Sequence, residues 1–478
     1  MAPYPPTGKR AQQVQPPDPI LPPHTDNLKS ISLLFLGWKI LLLGVVAASP
    51  GPGYDTSTEL LLSDLRSAIT RPDSAIHHVI HHVLSRLLRW DAFYFVNIGS
   101  RGYLFEQEWA FSRFSTFPVS ALAKVLPNSL FPSLLLRQTL AATAVSHLAH
   151  FGSCLLIYAL ALRLLPDGFR NRTAIATLAA YLHILSPAGV FLSAPYAEAL
   201  FSCLNFLGFY LLSFAAESPR SARDSVTYSL SAVGGGLSFA VASTFRGNGL
   251  LSVLAFGVYA LPIARRVLSG IVSLNDLSAL PGLVVGVVLT VFGFATPQYI
   301  AYTEYCTGAA LNSRPWCTKV PPSIYTFVQA HYWNVGFLKY WTVSNVPLFL
   351  IAAPSLVILF ATAVIALYPL VSSLWKSSET PQRHLLVCAA TAAPQLALVV
   401  AATTSFHVQI INRICSGYPT WYVMLASAIV GRQQQAGEGD GQDVSVLQSP
   451  RLQRRVVKCM MLYGLIQAGL YASFLPPA

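Results

Sequence analysis

Long apolar stretches recur along the whole chain and determine its predicted architecture. A bilayer core requires about 20 consecutive apolar residues from each helix, and we count about eleven stretches of near-spanning length. Their approximate centres lie at Leu42, Leu155, Leu182, Phe206, Val233, Leu254, Val288, Leu356, Val399, Leu425 and Leu465. Breaks such as Pro394 are tolerated inside a helical bundle. The pattern therefore predicts an all-α polytopic membrane protein with about eleven transmembrane helices.

The composition supports the same class. The 478-residue chain is 54% hydrophobic and only 10% charged, whereas a soluble domain carries about 25% charged residues. Because so few charges cannot cover a globular surface, lipid must cover much of it. The net charge of +12 therefore indicates membrane topology rather than nucleic-acid binding, since Lys and Arg mark cytoplasmic loops.

The distribution of basic residues predicts the orientation. With the amino terminus in the cytosol, the short basic connections fall on the cytosolic side, and they contain Arg170, Arg172, Arg220, Arg223, Arg265, Arg266, Lys376 and Arg383. We expect residues 1–29 to form a disordered cytosolic tail and 30–478 to form one transmembrane domain. We expect 49–140 and 299–343 to be long loops on the opposite side, and 431–455 to be a flexible cytosolic loop.

Polar residues gather in four groups at helix ends on the non-cytosolic side. The groups are centred on Trp90 and Asp91, on Glu198, on Arg246, and on His407, Gln409 and Arg413. Each has a structural alternative: Asp91 and Glu198 suit helix starts, a lone Arg can snorkel, and a loop is ordinarily polar. An Arg is nevertheless well suited to binding phosphate.

Two further patterns concern cysteine and histidine. Cys306 and Cys317 lie in the same non-cytosolic loop, where an oxidising compartment would permit a disulfide. The pairs 77–78 and 81–82 place His at a spacing that can bind zinc, but no further ligands accompany them. We therefore predict an amphipathic surface helix over 75–88 and no metal site.

Several blocks of sequence resemble the GPI mannosyltransferase 2 family from about residue 28 to the carboxyl end. The most specific block holds Arg314, Pro315, Trp316, Cys317, Pro321, Ile324, Tyr325, Val328, Gln329 and the run 332–341, and it continues through Pro347 and Pro354. The start Arg89-Trp90-Asp91, the pair Gly102-Tyr103, Glu106, the run 193–198, the block 246–249 and the residues His407, Val408, Gln409 and Arg413 also match. The segment 109–118 departs from the family pattern, with an added Arg113 and only the later proline, Pro118.

The resemblance implies a GT-C glycosyltransferase fold in the endoplasmic reticulum membrane, with luminal interfacial helices in the first large loop. It implies dolichyl phosphate mannose as the donor and the GPI intermediate bearing one mannose as the acceptor. The new bond would be α-1,6, and fungal members work with a small membrane partner. No cofactor is expected beyond the donor substrate.

Carried onto this chain, the GT-C pattern makes Asp91 the catalytic base, with Glu106 orienting it or binding a sugar hydroxyl. Arg413, or alternatively Arg246, would bind the donor phosphate with His407 close by. The residues expected to contact substrate are Trp90, Glu198, Gln409, Tyr332, Trp333 and Asn334. A mannosyltransferase with another luminal acceptor and a polytopic lipid or sugar transporter remain as alternatives.

Overall fold

The described structure is entirely helical apart from its turns and connections. It is a computed structural model, and it describes residues 24–50, 75–128, 131, 133–216, 222–270, 274–307, 314–376, 381–435 and 450–475. The α-helices are α1 (His24–Ala48), α2 (Ala75–Leu87), α3 (Asp91–Arg101), α4 (Phe117–Val125), α5 (Leu134–Leu164), α6 (Arg172–Ile184), α7 (Glu198–Leu212) and α8 (Ala222–Phe245). They continue with α9 (Val253–Leu268), α10 (Leu274–Tyr305), α11 (Ile324–Trp333), α12 (Val346–Lys376), α13 (Arg383–Thr404), α14 (Ile411–Ile414), α15 (Thr420–Gln435) and α16 (Pro450–Ala472).

Within those residues, eight helical segments are long and apolar enough to cross a membrane. The predicted all-α polytopic class is therefore confirmed, while the count of about eleven spans stays a prediction. The apolar stretches around Leu182 and Leu425 lie in helices of 13 and 16 residues. The stretch around Leu465 lies in α16, whose first turns carry Arg454, Arg455 and Lys458.

The chain between α6 and α7 is not regularly helical, yet it is buried throughout. Its backbone oxygens are bonded by side chains of neighbouring helices, which is the condition for irregular backbone inside a membrane protein. Lys39 of α1 donates to the carbonyl of Leu192 at 3.0 Å and to Ser193 Oγ at 2.7 Å. Ser146 of α5 donates to the carbonyl of Ala194 at 3.0 Å. These bonds fix the start of α7.

Helices α8 and α10 approach each other closely along a line of small residues. A Cβ atom added to Gly236 would lie 2.5 Å from Gly286 Cα, and one added to Gly293 would lie 2.1 Å from the carbonyl oxygen of Ala240. Small residues permit this approach, which is the usual way that membrane helices pack. The contact fixes where the ends of α8 and α10 lie.

The two long loops pack together around a second, smaller core. Trp109 of the first loop is buried with Cys306, Trp316, Ile324 and other residues of the second. Cys306 and Cys317 form a disulfide, so the predicted bridge is confirmed. The first loop is therefore held against the start of α11.

The helix predicted over 75–88 is also confirmed, since α2 spans Ala75–Leu87. Leu84 and Leu87 are buried, whereas Val79 is exposed. His82 Nε2 lies 2.9 Å from the carbonyl oxygen of Ala47, so this histidine contacts the end of α1. Residues 1–23 of the predicted tail and 436–449 of the predicted cytosolic loop lie outside the described residues. Residues 24–29 of the tail form the first turns of α1, and α15 and α16 occupy the rest of the loop.

Candidate active site

A cavity of about 460 Å³ lies where the two long loops meet the ends of the helices. All four predicted polar groups border it or support it. The residues lining it include Trp90, Asp91, Arg246, Trp333, His407, Gln409 and Arg413. Residues far apart in the sequence thus share one concave site, which is the ordinary form of a substrate pocket.

Asp91 is the first residue of α3 and borders the cavity. Its Oδ2 atom lies 3.0 Å from Arg413 NH1, and its side chain is 33% exposed. A carboxylate at a helix start is stabilised by the helix dipole, which is the structural role foreseen for Asp91. The position also leaves part of the carboxylate open to a substrate, so the two roles are compatible.

Arg413 links Asp91 to a second carboxylate. Arg413 Nε lies 2.7 Å from Glu198 Oε1, and the same oxygen lies 2.6 Å from Arg246 NH1. Burial acts to lower the pKa of Arg413, but the carboxylates of Glu198 and Asp91 outweigh it and raise that pKa above its ordinary value. The residues Asp91, Arg413, Glu198 and Arg246, which we call the ion-pair cluster, thus bring together two carboxylates and two guanidinium groups.

The cluster continues into the turn after α8. Arg246 Nε lies 3.4 Å from Asn248 Oδ1, and Asn248 Nδ2 donates to the hydroxyl of Tyr418 at 3.1 Å. Tyr418 is fully buried. The turn that carries Arg246 is thereby tied to the segment that carries Arg413.

Glu198 was predicted to contact substrate, and the structure places it beneath the two arginines. Its side chain is only 1% exposed and it does not line the cavity. Because one of its oxygens is shared by Arg246 and Arg413, Glu198 lies behind these arginines and orients them. Sequence alone cannot distinguish a carboxylate facing a pocket from one supporting it.

His407 and Gln409 line the cavity, but both are bound to the second long loop. His407 Nε2 lies 2.8 Å from the carbonyl oxygen of Trp333, and Tyr340 stacks on the His407 ring with centroids 4.7 Å apart. The Tyr340 hydroxyl donates to Gln409 Oε1 at 3.0 Å. These contacts give His407 and Gln409 a part in anchoring that loop.

Glu106 is not brought to Asp91. Its Oε1 accepts a hydrogen bond of 2.7 Å from Trp316 Nε1, and its other oxygen lies 3.8 Å from Arg314 NH1. It is absent from the lining of the cavity. Its position between the two loops is due to the packing of Trp316 in their shared core, which the sequence did not reveal.

Trp333 lines the cavity, whereas Tyr332 and Asn334 do not. Tyr332 is 44% exposed, and Asn334 ends α11 in the left-handed conformation, with φ 52°. Asn is among the residues that adopt this conformation most readily. Its role here is therefore to terminate the helix and turn the chain.

Gln298 of α10 also lines the cavity and was not singled out from the sequence. Its Oε1 accepts hydrogen bonds from Ser323 Oγ at 3.0 Å and from the backbone N–H of Tyr325 at 3.1 Å. A polar residue directly after Pro297, at the end of an apolar stretch, was the signal available for it.

One group of potential metal ligands lies elsewhere, inside the bundle. His150, Cys154 and His183 are buried with their ligand atoms within 4.8 Å of one another. None of its members lines the cavity.

Similarity to known proteins covers nearly the whole chain. A family model described as Mannosyltransferase (PIG-V) matches residues 29–478. A GPI mannosyltransferase 2 of Gibberella zeae is 38% identical over 94% of this chain and 97% of its own length. The enzyme of the same name from Aspergillus fumigatus is 39% identical over 94% of this chain and 93% of its own length. That of Schizosaccharomyces pombe is 30% identical over 93% of this chain and 84% of its own length.

Among solved structures, the oligosaccharyltransferase of Archaeoglobus fulgidus with a tethered acceptor peptide matches with a TM-score of 0.47 and 11% identity. The match takes in 95% of this chain and 56% of that one, so the chain spans little more than half of that structure's length.

Proposed function

The chain belongs to the PIG-V mannosyltransferase family, and from this premise we propose that it transfers the second mannose of the GPI anchor. The donor is dolichyl phosphate mannose, the acceptor is the GPI intermediate that bears one mannose, and the new linkage is α-1,6. The observation that carries the proposal is the position of Asp91, which borders the cavity at 3.0 Å from Arg413.

In the proposed reaction, the oxygen of the acceptor 6-hydroxyl attacks C1 of the donor mannose. Asp91 accepts the proton of that hydroxyl as the attack takes place. The C1–O bond to the lipid phosphate breaks, and its electron pair leaves with the phosphate. Attack opposite the phosphate inverts the β-linked donor to an α product. A positioned general base contributes about 10²- to 10⁴-fold in rate.

The departing lipid phosphate requires positive charge, and a pre-oriented guanidinium group supplies it without reorganisation. Arg413 lies between the carboxylates of Asp91 and Glu198, whereas Arg246 is paired with Glu198 alone among the salt bridges of the described residues. An incoming phosphate is therefore repelled less at Arg246. We assign the phosphate contact to Arg246, and to Arg413 the role of holding Asp91.

The acceptor glycan would lie against the aromatic residues that line the cavity. Tyr103 stacks on Trp109 with centroids 4.2 Å apart, and Phe111 lies edge-on to Trp333 at 5.9 Å. All four rings line the cavity. Aromatic rings combine an apolar body with polar tips, which suits a sugar that presents both C–H faces and hydroxyl groups.

The setting that goes with this function is the endoplasmic reticulum membrane, with a cytosolic amino terminus and a luminal active site. We extend the proposal to a GT-C organisation, to a donor substrate with no resident cofactor, and to a small membrane partner subunit, as the resemblance of the sequence implies. These features are part of the proposal.

Complementation tests it directly. Cells that lack the step adding the second mannose should regain complete GPI anchors with the wild-type chain. With Asp91→Asn they should accumulate the intermediate bearing one mannose. Normal anchors with the Asp91→Asn variant would remove Asp91 from the role of base, and failure of the wild-type chain itself would favour another acceptor or a transport function.

A further inference from the structure

The end of the last helix, α16, lies against the turn that carries Asp91. The hydroxyl of Tyr471 lies 2.7 Å from the carbonyl oxygen of Leu87 and 2.9 Å from that of Arg89. A hydroxyl has one hydrogen to donate, so the two carbonyls share it. Since α2 ends at Leu87 and α3 begins at Asp91, Tyr471 ties the connection between these helices to α16.

A second contact comes from the residue just beyond α16. The ring of Phe474 stacks on the indole of Trp90, with centroids 4.8 Å apart and an interplanar angle of 14°. The guanidinium group of Arg89 lies over the Phe474 ring at 5.3 Å. Phe474 is only 3% exposed, so this is a packed contact and not a surface one.

Trp90 needs such support because its backbone is strained. Its φ is 54° and its ψ is −130°, a conformation that a bulky L-residue rarely adopts. Strain of this kind persists only where the surroundings impose it, and it clusters at functional sites. The next residue is Asp91, so the backbone angles of Trp90 set the direction in which the Asp91 side chain leaves the chain.

We propose that Tyr471 and Phe474 are positioning residues, which hold Trp90 in its strained conformation and thereby aim Asp91 at the cavity. The inference rests on the proposed function, in which Asp91 is the base. It assigns to the carboxyl-terminal end of the chain a part in catalysis although neither residue lines the cavity.

The expected effect follows from geometry. Without the Phe474 ring, Trp90 can relax toward ordinary backbone angles, and the Asp91 carboxylate moves away from its position. A displacement of about 1 Å at a catalytic group can cost about 100-fold in rate. We expect Phe474→Ala to lower kcat about 10- to 100-fold, with a smaller change in the KM for either lipid substrate.

The test uses the purified full-length protein in lipid nanodiscs, with dolichyl phosphate mannose and an acceptor glycolipid bearing one mannose. Phe474→Trp and Phe474→Tyr keep an aromatic ring against Trp90 and should remain within about 3-fold of the wild-type kcat, since the stacked pair is preserved. Leu475→Ala is the control, because Leu475 adjoins Phe474 and is 44% exposed. Tyr471→Phe removes only the hydroxyl and should lower kcat without changing the fold.

The melting temperature of each variant is measured alongside its kinetics. The proposal is supported if Phe474→Ala loses kcat at equal folded protein while Phe474→Trp and Leu475→Ala do not. It is overturned if Phe474→Ala matches Leu475→Ala, if the loss only follows the folded fraction, or if the aromatic variants fail to restore kcat.

Asp91→Asn is assayed in parallel to separate the two proposals. If Asp91→Asn loses its rate and Phe474→Ala does not, the positioning role fails and the proposed function stands. If Asp91→Asn keeps its rate, the base assignment fails whatever Phe474 does, and the positioning role falls with it.

Discussion

Replacing Glu198 with Gln tests whether both arginines of the ion-pair cluster depend on this one carboxylate. The change keeps the size of the side chain and removes its charge. Glu198 Oε1 lies 2.6 Å from Arg246 NH1 and 2.7 Å from Arg413 Nε, and the side chain is 1% exposed. With Glu198→Gln, two adjacent guanidinium groups would have only Asp91 as a charged partner within the cluster.

The size of the effect follows from burial and distance. At an effective dielectric constant of about 20, each of these two pairs contributes about 6 kcal/mol of attraction before the cost of removing the charges from water. Removing one partner from a buried pair costs about 3–5 kcal/mol net, since the other charge stays buried. We expect Glu198→Gln to destabilise the fold by an amount in that range. It should also lower kcat about 100-fold, because both arginines lose their alignment.

Asp167→Asn is the matched control. The Asp167 carboxylate also bridges two arginines, Arg172 at 3.0 Å and Arg383 at 2.9 Å, but its side chain is 70% exposed. Solvent screens such pairs, so their loss should affect stability little. Thermal unfolding in detergent and mannose transfer in nanodiscs measure both variants. If Glu198→Gln behaves like Asp167→Asn in both assays, the account of the cluster is refuted.

Three further predictions concern the parts that position the site. Cys306→Ala should destabilise the second loop by about 3 kcal/mol, as expected for a short disulfide-closed loop, and it should lower transfer; unchanged protease resistance of the loop would contradict this. Gly236→Leu should abolish folded protein because its Cβ would lie 2.5 Å from another backbone, whereas Gly257→Leu, with nothing within 4 Å, should fold normally in detergent size-exclusion chromatography. Burial acts to raise the pKa of Glu108, but hydrogen bonds from Arg101 and the backbone outweigh it and lower that pKa. The stability advantage of the wild type over Glu108→Gln should therefore be complete at neutral pH and vanish as the pH falls through the folded-state pKa, and an advantage that grows on acidification would contradict the assignment.

The predicted topology places the members of the ion-pair cluster on one side of the membrane. Glu198, Arg246 and Arg413 lie at the ends of apolar stretches, and Asp91 lies in the first long loop on that same side. Polar groups are costly there unless they are paired or functional, so their convergence could be expected. The disulfide between Cys306 and Cys317 was a candidate for a different reason, because both cysteines lie in one loop on the side that would face an oxidising compartment.

The partners of each polar group could not be predicted. Glu106 and Asp91 lie in the same loop of the sequence, yet Glu106 accepts a hydrogen bond from Trp316. The core shared by the two loops determines this pairing. Hydropathy predicted an apolar stretch around Leu182, and the structure has a helix of 13 residues there. Hydropathy does not report that Lys39 donates a hydrogen bond to the backbone oxygen of Leu192 in the irregular segment after that helix. Helix ends carry no sequence signal for contacts between distant segments, such as that of Phe474 with Trp90.

The most direct test of the central claim is the rate of mannose transfer by the Asp91→Asn variant, with the purified protein and both lipid substrates. The amide keeps the shape of the side chain and its contact distance to Arg413, but it cannot accept the proton of the acceptor hydroxyl. The account predicts a loss of kcat of about 10²- to 10⁴-fold in protein that is fully folded. A folded Asp91→Asn variant that transfers mannose at the wild-type rate would contradict it.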